Sequence, residues 1–176
     1  MLHAPATPLL PELLLRPWRD ADADALIAAY HDPVLRRWTR APVTTTAEAH
    51  RFLAAASRDW ADGRRFSFAV LEPSPGGETL VAQVILKNVT ADGDHAEVGY
   101  WTAAPARGRG VAGHALATVT DWAFARFAAL RWLDLMHQVD NPASCRVAEK
   151  AGYPFQEVLA ARPPFPRDGH RHARWA

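Results

Sequence analysis

From about residue 65 to residue 103 the chain runs with a hydrophobic period of two through three consecutive stretches, "RFSFAVLE", "TLVAQVILKNV" and "AEVGYWTA". Only "SPGGE" and "TADGDH" separate them, and both are built from turn residues. Successive strand side chains point to opposite faces, and connections this short can join only antiparallel neighbours. The expected product is a three-stranded meander. A doubly wound parallel sheet is thereby excluded, because it needs a helical crossover between each pair of strands.

The flanking segments add helices and further strands. "ELLLRPW" (Glu12–Trp18) reads as a strand, and "DADADALIAAYHD" offers Asp20 as an N-cap with Leu26, Ile27 and Tyr30 at helical spacing. Val34, Leu35 and Trp38 predict a short second helix. "TTTAEAHRFLAAASRDWADG" predicts a longer one with a Thr N-cap, Glu48 in its first turn and a stop at Gly63. Beyond the meander, Ala112, Leu116, Val119, Ala123 and Phe127 form one apolar stripe, followed by the strand "RWLDLMHQV". Asn141 then caps a helix with Pro142 at its first position and Gly152 at its end; "YPFQEVLA" and "HRHARW" read as the last strands. The expected fold class is α/β (α+β): a mixed, mostly antiparallel central sheet of about six to seven strands flanked by helices.

A length of 176 residues with 49% hydrophobic content suits one domain over 1–176, with 1–10 as a loosely ordered N-terminal segment. Net charge of +1 argues against a general nucleic-acid binder, although Arg162, Arg167, Arg171 and Arg174 with His170 and His172 make the last stretch basic. Cys145 is the single cysteine, so no disulfide framework and no cysteine-based metal site is expected; no metal is called for, and a reducing cytoplasm fits. The proline-rich N-terminus lacks a positive leader region, so neither a signal peptide nor a membrane span is expected.

"ARGRGVAG", Ala106–Gly113, carries the chemistry. Taken literally, Gly108, Gly110 and Gly113 match the dinucleotide fingerprint, with Asp134 at a fitting distance as the acidic partner. That fingerprint requires a strand ending at the first glycine, whereas "TAAPAR" intervenes here. Only about forty residues follow Asp134, too few for a second nucleotide-binding half. What remains is a turn of small residues that presents successive backbone N–H groups at a helix start, where the helix dipole favours an anion. Arg107 and Arg109 add positive charge.

"RGRGVA" (Arg107–Ala112) resembles the R/Q-x-x-G-x-G/A loop of the GNAT N-acetyltransferases. Together with "AEVGYWTAAPARGRGVAGHAL", "DNPASCRVAEKAGY", "LLLRPWRDADADAL" and "DPVLRRW" it is similar to the RimJ/RimL-like branch, nearly from Glu12 to the C-terminus. The resemblance implies acetyl-CoA as co-substrate, its pyrophosphate on the loop of Arg107, Gly108, Arg109, Gly110, Val111 and Ala112. It implies that the pantetheine arm lies in a splay between "EVGYWTA" and "RWLDLMHQV" and meets backbone groups near Trp101, Thr102 and Ala103. It further implies a hydrogen bond from Asn141 to the cofactor, Ser144 as proton donor to the departing thiolate, and a homodimer. The tyrosine that many members use for that proton is replaced by Ala148. A glutamate that some relatives carry late in the chain is missing near Pro163, and His172 stands where an aspartate is common, so a ribosomal-protein acceptor does not carry over.

Acetyl transfer to a primary amine needs a base, because an alkyl ammonium titrates near about 10.4. Glu97 lies at almost the spacing before the loop at which relatives place a catalytic glutamate, and it shares a strand face with Gly99 and Trp101. Asp134, His137 and a water chain are the lesser candidates. Cys145 reads as apolar filler. Trp38, Trp60, Tyr100 and Trp101 could line an amine pocket, with core packing the commoner use of such residues. The acceptor is a small-molecule amine or a peptide N-terminus. The competing classes are a CoA-binding sensor or interaction module and, more remotely, a dinucleotide-binding oxidoreductase.

Overall fold

The computed structural model describes residues 1–39, 41–163 and 166–176. In chain order its elements are β1 (Leu2–Ala4), β2 (Leu13–Pro17), α1 (Ala23–Tyr30), α2 (Pro33–Trp38), α3 (Thr46–Asp62), β3 (Phe66–Ser74), β4 (Gly77–Lys87) and β5 (His95–Thr102). Then follow α4 (Val111–Arg126), β6 (Trp132–Gln138), α5 (Pro142–Lys150), β7 (Phe155–Leu159) and β8 (Gly169–Trp175). The strands form one sheet in the order β1-β2-β3-β4-β5-β6-β8-β7. Every pairing is antiparallel except β5 with β6. The sheet has 8 strands, more than expected, because β1 pairs Leu2 with Leu15 and Ala4 with Leu13. The start of the segment expected to be loosely ordered is thus a strand, anchored by the buried Ala4. Three residues are too few for a period to register in the sequence.

Local chemistry accounts for most element boundaries. Thr45 caps α3 by accepting from the Glu48 N–H, Glu48 reaches back to the cap, and Gly63 ends the helix in the left-handed conformation. Asp32 caps α2 by accepting from Val34 N and Leu35 N, with Pro33 at the first position. Before α1 the cap position is held by Asp22, in place of the expected Asp20, but its carboxylate turns away from the helix. It accepts from Arg19 N at 2.8 Å and receives both terminal nitrogens of Arg16 at 2.8 Å. A short 3₁₀ turn over Asp20–Asp22 moves the cap, since the buried Arg16 needs a carboxylate within reach.

Two cores cover the two faces of the sheet. On one, α4 and α5 lie over Phe66, Phe68, Val84, Leu86, Val98, Leu133 and Leu135. On the other, α1 and α3 enclose Trp18, Leu26, Leu53, Ala69 and Trp101. The parallel pairing of β5 with β6 joins His95–Val98 to Trp132–Leu135 and stops there. Past that point Gly99–Thr102 of β5 pair only with β4, and Met136–Gln138 of β6 only with β8. The sheet therefore opens into a V at its centre, and each arm presents an unpaired strand edge to the gap. Among the described residues no helix is long and apolar enough to cross a membrane.

Candidate active site

Some of the expected site residues lie beside the gap between β5 and β6 and others lie away from it. Tyr100 lies on the α4–α5 face of β5, beyond the last β5–β6 pair. Its hydroxyl donates to Ser144 Oγ at 3.1 Å. Ser144 sits in the first turn of α5, held there by the cap: its N–H donates to Asn141 Oδ1 at 3.3 Å. Burial pushes the Tyr100 phenol above its ordinary value, only partly offset by the Ser144 hydrogen bond. It therefore stays protonated at neutral pH and can act as a donor. From sequence Tyr100 stands only among candidate pocket aromatics. Strand alternation was the available signal, since it puts Tyr100 on the face opposite Glu97 and Trp101.

Glu97 occupies the other face, one residue before the pairing ends. Lys87 forms an ion pair with it and Asn88 Nδ2 donates to its Oε2 at 3.3 Å. Asn88 does so from a left-handed backbone conformation (φ 61°) at the end of β4. The structure thus brings Tyr100, Asn141 and Ser144 together and keeps Glu97 apart from them across the sheet. Asp134 is engaged with Arg171 at 2.8 Å. Gly99, between Glu97 and Trp101, leaves a gap backed by Ile85, whose Cγ2 a side chain there would meet at 3.3 Å.

Of the other candidate pocket aromatics, Trp101 is buried against Trp18 and Tyr30, and Trp60 packs edge-on to Phe66 and Phe68. Both serve the cores. Trp38 stacks under the Arg37 guanidinium. Ala103 donates its N–H to Val81 O at 2.9 Å, while Thr102 is half-buried at the end of β5.

The glycine turn leads from the open end of β5 into α4. Gly108 and Gly110 have φ of 76° and 79°, which only glycine adopts without strain. At Gly110 a Cβ would also meet the movable tip of Leu10. Gly113 has open space around it. No side chain caps α4, so the N–H groups of its first residues, Val111, Ala112 and Gly113, have no intrahelical partner. Arg107 and Arg109 are not free charges here: Arg107 forms an ion pair with Asp32 of the α2 cap and Arg109 one with Glu72 of β3. They tie the turn to both flanks, and its anion-binding capacity falls to the backbone. A groove of ≈ 260 Å³ borders Arg109, Pro105 and Val81. A larger cavity of ≈ 350 Å³ lies at the opposite end of α4, by Arg126 and Leu130, and touches none of these residues.

Behind Ser144 the structure departs from expectation. Cys145, expected as apolar filler, is half-buried with its Sγ 3.1 Å from His170 Nδ1. His137, His170 and His172 complete a group whose ligand atoms lie within 4.8 Å of one another. A cysteine-based cluster does form, because β6, α5 and β8 converge there from distant parts of the sequence. Burial, with the neighbouring His172 and His170, holds the His137 imidazole below its ordinary value. Pro163 lies in the loop before β8, whereas residues 164–165, within the segment read as lacking a glutamate, lie outside the described residues.

A family model described as an acetyltransferase (GNAT) domain matches residues 12–154. Among solved structures, RimJ of Mycobacterium smegmatis in complex with a CoA disulfide superposes with TM-score 0.81 at 24% identity, over 94% of this chain and 83% of that one. RimL, a ribosomal L7/L12 α-N-protein acetyltransferase in complex with coenzyme A, superposes with TM-score 0.83 at 18% identity, over 98% and 97% of the two chains. Spermidine N-acetyltransferase of Vibrio cholerae with CoA and spermine gives TM-score 0.76 at 18% identity, over 93% and 95%. No curated protein sequence matches the chain significantly.

Proposed function

The chain belongs to the GNAT acetyltransferase family, and we propose that it transfers an acetyl group from acetyl-CoA directly to a primary amine in a ternary complex. The observation that carries this reading is the V between β5 and β6, closed at one side by the Tyr100–Ser144 hydrogen bond and opening at the other onto the uncapped start of α4. An extended, amide-bearing arm can lie in such a gap as an extra strand, satisfying edge groups that would otherwise face solvent. The N-terminal N–H groups of α4 then meet its pyrophosphate. Asn141 orients the turn that carries Ser144.

In this arrangement the thioester reaches the gap from the α4–α5 face. The Ser144 hydroxyl, itself receiving the Tyr100 proton, gives its own proton to the leaving thiolate, and Tyr100 O–H can replace it. The amine approaches from the α1–α3 face past Gly99, where Glu97 takes its proton directly or through water. The ion pair with Lys87 requires Glu97 to exchange partners as the ammonium arrives, and the charge match between a cationic amine and Glu97 favours that exchange. Small-molecule amines and peptide N-termini both fit this chemistry.

A panel of amino acids, polyamines, aminoglycosides and short peptides, scored by thiol release from acetyl-CoA, tests the reading. Acceptor-dependent release is expected for one class. CoA binding without acceptor-dependent release would favour a sensor module, and no CoA binding would end both. Glu97→Gln is expected to lower kcat on the order of 10²-fold, with the residual rate rising with pH as free amine becomes available. An unchanged rate and pH profile would remove Glu97 from the reaction.

A further inference from the structure

The cluster behind Ser144, to which the transfer scheme above assigns no step, has the donor set of a metal site. His172, fully buried on β8, directs Nδ1 to the Tyr153 carbonyl at 3.0 Å. His137, on the splayed end of β6, directs Nδ1 to the Gln138 carbonyl at 2.8 Å. A carbonyl can only accept, so both rings carry a proton on Nδ1, which leaves Nε2 as the position open to a ligand. Those two Nε2 atoms face each other at 3.3 Å. Two bare lone pairs at that distance repel unless a cation, a shared proton or a metal ion, lies between them.

One of the distances fits a tetrahedral cation. Two imidazole nitrogens, each about 2.0–2.1 Å from a tetrahedral zinc ion, lie about 3.3–3.4 Å apart by geometry, which is the spacing of the His137 and His172 pair. Cys145 Sγ and His170 Nδ1 form the second pair, 3.1 Å apart, a hydrogen-bonded spacing that an ion between them would widen to about 3.5 Å. The Nδ1–H-to-carbonyl bonds are the kind of support that fixes tautomer and ring orientation in metal-ligating histidines. Phe155 packs edge-on to His170 and His172, with ring centroids 5.1 and 5.8 Å away, and restricts their rotation. His137, His170 and Cys145 are only half-buried, which leaves a path for the ion.

We propose that His137, Cys145, His170 and His172 form a four-ligand tetrahedral site for a zinc-type divalent cation. One thiolate and three imidazoles suit zinc or cobalt and disfavour magnesium and calcium, which take oxygen ligands. Four protein ligands leave no open position, so the ion is structural. It joins the first turn of α5, and with it Ser144, to β6 and β8.

The test uses the full-length, tag-free protein after chelator treatment, titrated with Co²⁺ and then Zn²⁺. One equivalent of Co²⁺ is expected, with tetrahedral d–d bands and a thiolate-to-cobalt charge-transfer band that Zn²⁺ abolishes. Cys145→Ala should lose the charge-transfer band, and His170→Gln should weaken uptake at least about tenfold. Zn²⁺ should raise the Tm of the parent and leave that of Cys145→Ala unchanged. His137→Gln supplies an independent ligand deletion if either variant is misfolded by circular dichroism. Substoichiometric uptake by folded parent protein, or uptake indifferent to loss of Cys145, overturns the proposal. None of these readouts involves acetyl transfer, so failure here leaves the proposed activity untouched, and the reverse.

Discussion

Ser144 and Tyr100 come from elements separated by α4 and β6, and they meet because the sheet opens between their strands. If Ser144 donates to the departing thiolate, Ser144→Ala should lower kcat about 10²-fold with little change in the KM for acetyl-CoA. A pure KM effect in steady-state kinetics would make it a binding residue. Asp22 illustrates a different residue-scale role. Burial alone would raise its carboxyl, but Arg16 and the Arg19 N–H hold it below the ordinary carboxylate range. A depressed folded-state value means that the stabilisation is present above the unfolded value, about 3.9, and is lost as pH falls through the folded one. Asp22→Asn leaves the buried Arg16 with only the Glu78 carboxylate, 3.7 Å from its Nε, so about 3 kcal/mol of destabilisation, the low end for breaking a buried pair, is expected at pH 7 in urea melts. That difference from the parent should shrink progressively in acid, and a difference independent of pH down to acid unfolding would contradict the assignment.

At the scale of elements, the glycine turn and α4 separate two uses of glycine. Gly110 has a left-handed φ of 79°, with only the movable tip of Leu10 near its Cβ position, and it positions the open helix start. Gly113 has neither constraint. Gly113→Ala should therefore keep CoA affinity and stabilise the fold by about 0.5–1 kcal/mol through helix propensity. Gly110→Ala should destabilise the fold and weaken CoA binding together. Calorimetry and thermal melts on the two variants decide it. If Gly113→Ala abolished cofactor binding, the third glycine would be needed for close approach, as in a dinucleotide site. Asn141 acts on α5 in the same way as a cap does elsewhere, and Asn141→Ala should cost about 1 kcal/mol.

For the molecule as a whole, the functional classes differ in what they bind. CoA should raise the Tm and NAD should not. Stabilisation by NAD alone would return the dinucleotide reading, against the meander that β3, β4 and β5 form. The two cores also predict where stability resides. Leu133 is fully buried on β6, within the closed part of the β5–β6 pairing, so Leu133→Ala should cost about 2–5 kcal/mol in urea melts. A smaller cost would indicate that the pairing, and not the α4–α5 core, holds the sheet together there.

What the sequence determined by itself was local and periodic. The meander, the Thr45 cap of α3, the Asn141–Pro142 start of α5 and the glycine turn were all legible, because each depends on residues a few positions apart. The tertiary structure alone decided four things. The first residues became a strand because β2 offered matching apolar partners. Arg107 and Arg109 became ties, since Asp32 and Glu72 fold back beside them. Tyr100 reached Ser144 because two parallel strands stop pairing after Val98 and Leu135. Finally, one cysteine, too few for any local metal motif, met three histidines, because β8 lies antiparallel beside β6 and α5 packs against them. Their side chains are separated along the chain by more than any period or spacing can encode, and only the sheet order brings them within reach.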